Sequence, residues 1–388
     1  MFKLLKGGRV FTPENLGTKD LLIAGDKIAQ IGEINPVPEY GPVEVIDVTD
    51  HYVVPGFIDQ HIHLIGGGGE AGYASRTPEV RLSQLTSAGI TTVVGCLGTD
   101  GTTRHMASLL AKARGLENEG ISTYIYTGSY EIPTCTLMKN VRDDLIIIDK
   151  VIGCGEVAIS DHRSAQPTKE DISKLAAECR VGGILSGKAG VLHLHVGSGK
   201  EGLRILSEIV DETNIPITQF IPTHINRNAD LLAEGIRFAQ KGGRIDLTTG
   251  FNPLSQPRTS ISPTEAIHQA LAEGAPLEQI TMSSDGNGSL PVFNERGDIV
   301  GMTVSEPRCL YEEFKNLVNS GLPLEDSLKV ITQNPARVLK IQERKGTLRV
   351  WADADVLVLD QDLNIVHVYA RGQCMIRDGK ILVSGTFE

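Results

Sequence analysis

Several protein classes are excluded by what this chain lacks. Its six cysteines, at positions 96, 135, 154, 179, 309 and 374, include no Cys-x-x-Cys pair. Neither a disulfide framework nor a thiolate zinc site is therefore indicated. No apolar run reaches the roughly 20 residues needed to cross a bilayer. The amino terminus, Met1-Phe2-Lys3-Leu4-Leu5-Lys6-Gly7-Gly8, is too short and too interrupted for a signal peptide. Positive charge is also scarce: 37 Lys and Arg face 48 Asp and Glu, a net −11. That balance argues against a general nucleic-acid or anionic-membrane surface. The expectation is a soluble, cytoplasmic protein without nucleic-acid or membrane partners. Its 388 residues, 40% of them hydrophobic, can bury a sizeable core in more than one domain.

The most informative segment that is present is Pro55-Gly56-Phe57-Ile58-Asp59-Gln60-His61-Ile62-His63. A β-rich stretch leads straight into two imidazoles one residue apart. Residues i and i+2 of a strand share a face, so His61 and His63 can converge on one metal ion. Gly66-Gly67-Gly68-Gly69-Glu70 follows at once. Glycines let backbone approach a ligand closely, and a carboxylate ends the run. Together these residues read as the rim of an active site.

The ends of the chain differ from its middle. Residues 1–54 alternate short apolar runs with turns, including a Gly25-Asp26-Lys27 hairpin signal. The last forty or so residues do the same, in Ala354–Asp360, Ile365–Tyr369 and Met375–Val383. Neither end has enough strands to stand alone, so residues 1–54 and 345–388 are expected to pair into one small β-sandwich domain. Between them, strand-like runs occur at Val53–Ile58, Thr91–Val94, Ser122–Tyr126, Val151–Ile159, Val191–Val196, Ile217–Thr223, Arg244–Thr248 and Gln279–Ser283. Amphipathic helix candidates separate them: Pro78–Ala88, Arg104–Asn118, Lys169–Cys179, Gly202–Thr213, Asn228–Lys241 and Pro263–Ala272. Thr168 and Ser262 head capped helix starts, the second with Pro263 at the first helical position. Eight such alternations over residues 55–344 predict an α/β fold, a (β/α)8 TIM-type barrel, whose catalytic groups would sit at the C-terminal strand ends.

Metal-type residues recur at those ends. Strand five carries His193 and His195, strand six ends at His224, and strand eight ends at Asp285. One such residue would be unremarkable. Four strand ends in barrel order, each with His or Asp, point to metal binding. His193 and His195 share a face, so the residues alone permit either. His51, His105, His162, His268 and His367 fall outside the pattern and read as ordinary histidines.

The Pro-Gly-Phe-Ile-Asp-x-His-x-His segment with these strand-five, strand-six and strand-eight residues resembles the amidohydrolase superfamily. Further motifs resemble its isoaspartyl (β-aspartyl) dipeptidase branch: Gly66–Gly72, Gly98-Thr99-Asp100, Gly128-Ser129-Tyr130, Ala158–Ser164, Pro222–Asn228 and Ser283–Ser289. The resemblance implies a barrel with a small β domain, two divalent ions (zinc by expectation), a homo-oligomer, and a small-molecule substrate, a β-aspartyl dipeptide. It puts His61, His63 and Asp285 on one ion and His195 and His224 on the other. Two ions acidify a shared water, and Asp285 can act as general base and then general acid. Tyr130 would help to stabilise the tetrahedral oxyanion. Glu70 suits the substrate ammonium, and Arg163 and Arg227 suit its two carboxylates. Gly69, Thr99 and Ser289 supply further hydrogen bonds in the family pattern.

One position departs from that pattern. Where the family bridges its metals with a carboxylated strand-four lysine, this chain has Glu156. The charge and both oxygens survive, but the carboxyl carbon sits about 3–4 Å nearer the backbone. Either the strand or the metals must shift for Glu156 to bridge; if neither does, one metal site is weak and activity low. Rival readings are a cyclic amidase, an N-acyl amino-acid deacylase, or a non-catalytic barrel. Cys154, expected on the face of Glu156, bears on the deacylase reading, although a small apolar core residue is the simpler account.

Overall fold

The computed structural model describes residues 2–35, 41–250, 260–294 and 299–388. Parallel strands alternate with helices through the middle of the chain. Among the described residues they are Phe57–Ile62, Ile90–Gly95, Ser122–Thr127, Val151–Ile159, Val191–Val196, Phe220–Thr223, Ile245–Thr248 and Ile280–Ser283. We refer to them as strands one to eight. Strands one to six hydrogen-bond in sequence order into one sheet, and strands seven and eight pair with each other. Side chains link the two groups. Asp246 of strand seven accepts from Thr223 of strand six at 2.7 Å and from Gln60 of strand one at 2.8 Å. Gln60 also donates to Thr281 of strand eight at 2.6 Å, and Ile62 bridges Gly286 in the parallel sense. The parallel sheet is thus curled, with strand eight returned to strand one.

The two faces of the sheet carry separate cores, as alternating side chains require. Phe57, Val93, Ile125, Val151 and Phe220 pack with helix residues such as Leu109, Leu116 and Ile172. Their sequence neighbours Ile58, Val94, Tyr126, Ile152 and Ile221 pack in a second cluster with Ala336, Val338 and Leu339. Burial on both faces is why these strands read as near-continuous apolar runs.

Local signals set the helix ends. Thr168 and Asp171 form a capping box ahead of Lys169–Ser186, which stops at left-handed Gly187. Ser262 and Glu265 do the same for Pro263–Ala272. The Pro78–Ala88 candidate contracts to Leu82–Thr86. Backbone ahead of it is taken by the glycine-rich loop instead: Thr77 N donates to Gly67 O and Val80 N to Leu64 O.

The expected single strand Val53–Ile58 is two strands. Tyr52–Pro55 pairs antiparallel with Val356–Leu359, while Phe57–Ile62 begins the parallel set. The chain changes sheets at Gly56, whose N–H donates to Asp355 O at 2.9 Å. A Cβ there would lie 2.2 Å from Thr91 Oγ1, so glycine is required. Among the described residues this second sheet has nine strands drawn from both ends of the chain. It is mixed, since Phe2–Phe11 runs parallel to Val43–Asp47 and Tyr52–Pro55, and it includes antiparallel hairpins at Gly25-Asp26 and Asp378-Gly379. No helix among the described residues is long and apolar enough to cross a membrane.

Candidate metal centre and substrate cavity

Strand four carries the structural irregularity on which the site depends. Against strand three, Ile125 and Tyr126 face Val151 and Gly153; against strand five, Leu192 and Leu194 face Cys154 and Val157. The second slip is a β-bulge at Gly155-Glu156, one extra residue that breaks the alternation of faces. Gly155 has φ 153°, and a Cβ there would meet His193 O at 2.7 Å. The bulge corrects the expectation that Cys154 shares a face with Glu156. Cys154 packs in the helix-side core, whereas Glu156 turns toward the histidines.

The Glu156 carboxylate, almost fully buried, lies between four imidazoles. Its Oε1 is 2.9 Å from His195 Nδ1 and 3.2 Å from His224 Nε2. Its Oε2 is 3.3 Å from His61 Nε2 and 3.9 Å from His63 Nε2. Asp285, past strand eight at φ 51°, puts Oδ1 3.0 Å from His63 Nε2 and 3.6 Å from His61 Nε2. Two donor groups result, His61 with His63, Cys96 and Glu156, and Glu156 with His195 and His224; in each the ligand atoms lie within 4.8 Å of one another. Glu156 belongs to both. His193 does not join them: its ring stacks on Tyr126 at 4.9 Å and meets the His61 ring edge-on at 4.8 Å.

These residues fit metal ions. Both ring nitrogens of His61 and the Oε2 of Glu156 are buried without a hydrogen-bond partner. Such atoms are costly unless something else satisfies them. Burial opposes ionisation of Glu156, yet the surrounding imidazoles, His61 foremost, hold its pKa well below the ordinary carboxylate range. Asp285 is held at about 2 against burial by His61 and His63. Against burial, Glu156, Cys96 and Asp285 push His61 well above its usual value. Burial and then His195 bring His224 down to about 3. Two buried carboxylates set among imidazole nitrogens form a mixed oxygen and nitrogen donor set suited to divalent cations.

Above this centre opens a cavity of about 510 Å³. Its lining includes ten residues expected at the site from the sequence, His63, Glu70, Thr99, Tyr130, Arg163, His195, His224, Arg227, Asp285 and Ser289, of which His63, His195, His224 and Asp285 also serve the centre below. His61 and Glu156 lie beneath its floor, and Gly69 sits between the lining residues Gly68 and Glu70. Tyr130 OH is 2.7 Å from His195 Nδ1. Glu70 accepts from Thr99 at 2.9 Å and Ser289 at 3.2 Å, and meets Arg163 Nη1 at 3.4 Å. Arg227 is pinned by its Nε donating to Val196 O at 3.0 Å. His162, read as an ordinary histidine, stands exposed at the rim.

Three residues here escaped the sequence reading, the first being Thr248, which ends strand seven with its Oγ1 2.6 Å from His224 Nδ1. Cys96 directly follows strand two, the same level at which the other strands carry their ligands, with Sγ 3.8 Å from His63 Nδ1. Asp161 lies within the Ala158–Ser164 motif, and its Oδ2 is 2.9 Å from His195 Nε2.

The amidohydrolase family model matches residues 52–381. The chain belongs to the amidohydrolase family. Within it, a β-aspartyl dipeptidase from Fervidobacterium islandicum AW-1, solved with a β-Asp-Leu dipeptide, is 43% identical, with 98% of each chain covered and a TM-score of 0.90. The dihydroorotase of Staphylococcus aureus is 37% identical, covering 93% of this amidohydrolase and 90% of the relative. A dihydropyrimidinase from Brevibacillus agri shares the fold at 18% identity and TM-score 0.69, with 99% and 97% of the two chains covered.

Proposed function

We propose that this amidohydrolase cleaves β-aspartyl (isoaspartyl) dipeptides. Two divalent ions, zinc in the first instance, would be held by His61, His63 and Asp285 on one side and His195 and His224 on the other, with Glu156 as the shared carboxylate. In the same reading residues 55–344 close into a (β/α)8 barrel, and residues 1–54 with 345–388 form the small β-sandwich domain. The observation that carries the proposal is the placement of Glu156, with one oxygen toward each pair of histidines. The bulge at Gly155-Glu156, which turns the carboxylate toward the histidines, supports that reading.

Bound ions would supply Lewis acidity to a water and to the scissile carbonyl. The remaining work falls to the chain. Asp285, ionised and facing both cavity and centre, accepts the proton of the attacking water and returns it to the leaving amine. Tyr130, whose hydroxyl burial keeps protonated, donates to the oxyanion. Glu70 receives the substrate ammonium, assisted by Thr99, Ser289 and the Gly69 backbone. Arg163 and Arg227 each present guanidinium N–H groups to a carboxylate.

The Staphylococcus relative favours a second reading, a cyclic amidase such as a dihydroorotase. Dihydroorotate carries one carboxylate and no ammonium, which leaves Glu70 and one arginine without a partner. Turnover of β-Asp-Leu, dihydroorotate, a dihydropyrimidine and an N-acyl amino acid, each measured on metal-replete protein, decides between them. The dipeptide is expected to turn over fastest; a faster cyclic or N-acyl substrate refutes the proposal. Light scattering on the same preparation tests the homo-oligomer expectation.

A further inference from the structure

Asp161 has no part in the reaction just described, yet it is a nearly buried carboxylate with every lone pair engaged. Its Oδ1 accepts from the Arg163 backbone N at 2.8 Å and from Arg163 Nε at 3.0 Å. Its Oδ2 accepts from Arg163 Nη2 at 2.8 Å and meets His195 Nε2 at 2.9 Å. We propose that Asp161 is a positioning residue that locks His195, on the metal centre, to Arg163, on the substrate cavity, so that ligand and substrate clamp are set as one unit. The inference rests on the metal-centre reading above.

Geometry supports each half of that link. A histidine that binds metal through one ring nitrogen carries a proton on the other, and an acceptor there fixes tautomer and ring plane. His195 turns Nδ1 to Glu156 and Nε2 to Asp161, so Asp161 selects the tautomer whose free lone pair faces the centre. Arg163 Nη2 lies 3.1 Å from His195 Nε2. Two donors tolerate that proximity because both aim at the same carboxylate oxygen. With Nε and Nη2 committed, Arg163 keeps Nη1 for the cavity, where it now faces Glu70.

The backbone is shaped to bring Asp161 there. Ser160, just past strand four, takes φ 53°. Gly197, just past strand five, donates its N–H to Ile159 O at 3.0 Å. A Cβ on Gly197 would lie 2.6 Å from the Asp161 Cβ and 2.3 Å from Ser160 O. Any side chain at 197 would therefore push Asp161 off His195.

The test is Asp161→Asn, which keeps the shape but replaces one acceptor oxygen with a donor. In Zn²⁺ titrations against a chromophoric chelator, one ion is expected to bind about 10- to 100-fold more weakly while the other keeps its affinity. KM for β-Asp-Leu rises in parallel as Arg163 loses its anchor. Both ions bound as tightly as in the parent, with KM unchanged, overturns the inference. So does equal weakening of both ions, which a general packing role would give. Should Asp161→Asn not fold, Asp161→Glu, which keeps the charge but moves the oxygens, is held to the same outcomes. A parent protein that binds fewer than two ions takes down the metal-centre reading together with this one. A parent with two tight ions and an indifferent variant takes down this inference alone.

Discussion

The two halves of the centre share Glu156 but are held by different means. On the His195 and His224 side, each ring has a polar partner on its far nitrogen: Asp161 at 2.9 Å and Thr248 Oγ1 at 2.6 Å. On the His61 and His63 side such partners are missing. Neither ring nitrogen of His61 is hydrogen-bonded, and His63 Nδ1 has only the Cys96 thiol at 3.8 Å. Packing takes their place. The His61 ring is enclosed by those of His193, His63 and His224, and a Cβ on Gly98 would come within 3.0 Å of His63 Cε1. His61 lies within strand one, whose backbone already aims its side chain. His224 lies past the end of strand six at φ 64°, where backbone alone aims it less firmly. Position on a strand does not decide the difference by itself, since His195 lies within strand five and still has Asp161, whereas His63 lies just past strand one and has only the distant thiol.

The largest expected effect comes from the shared residue. Glu156→Gln keeps the shape and removes the charge that both halves require. Both ions should be lost together, and kcat/KM should fall by more than the roughly 10²–10³-fold that removing one oxyanion-hole donor costs. Metal analysis after gel filtration checks the first part and steady-state assay the second. Retention of one ion at parental affinity would show that the halves do not share Glu156 equally.

Next comes the bulge. Gly155→Ala must place a Cβ against His193 at a φ that L-residues avoid, at a cost of about 1–3 kcal/mol. Denaturant unfolding of the metal-free protein measures that cost, and metal titration reads whether Glu156 has been displaced. An alanine variant with unchanged stability and two tight ions would show that the carboxylate reaches the histidines without the bulge.

That bulge also marks where the sequence stopped being readable. The four strand ends were legible because each ligand follows an apolar β run, and their order along the chain is their order around the sheet. The caps at Thr168 and Ser262 and the turn at Gly25-Asp26 were legible because their chemistry is local. A bulge is different: it exists only in the pairing between strands, so strict alternation wrongly put Cys154 beside Glu156. Gly56 likewise looks like one residue in a continuous strand, since nothing local reveals that Asp355 claims its N–H. Asp161 and Cys96 are single residues whose partners lie on other strands, and no spacing announces them. The hairpin Ser289–Phe293 with Ile299–Val304 went unforeseen for a similar reason, its first strand being short and interrupted by proline.

The smallest effects test the contrast between the halves most directly. Thr248→Val removes the acceptor from His224 Nδ1 and keeps the side-chain shape. It should weaken one ion about 10-fold, the lower end of what losing such a partner costs. Cys96→Ala removes a thiol too distant for a strong hydrogen bond and should change the other ion's affinity by no more than about threefold. Paired chelator titrations of the two variants give both numbers under one set of conditions. Equal losses would mean that Cys96 acts on the His61 and His63 half as a ligand in its own right, a role its place in that donor group allows. The distinction between a half held by packing and a half held by hydrogen bonds would then give way to one in which both depend on polar contacts.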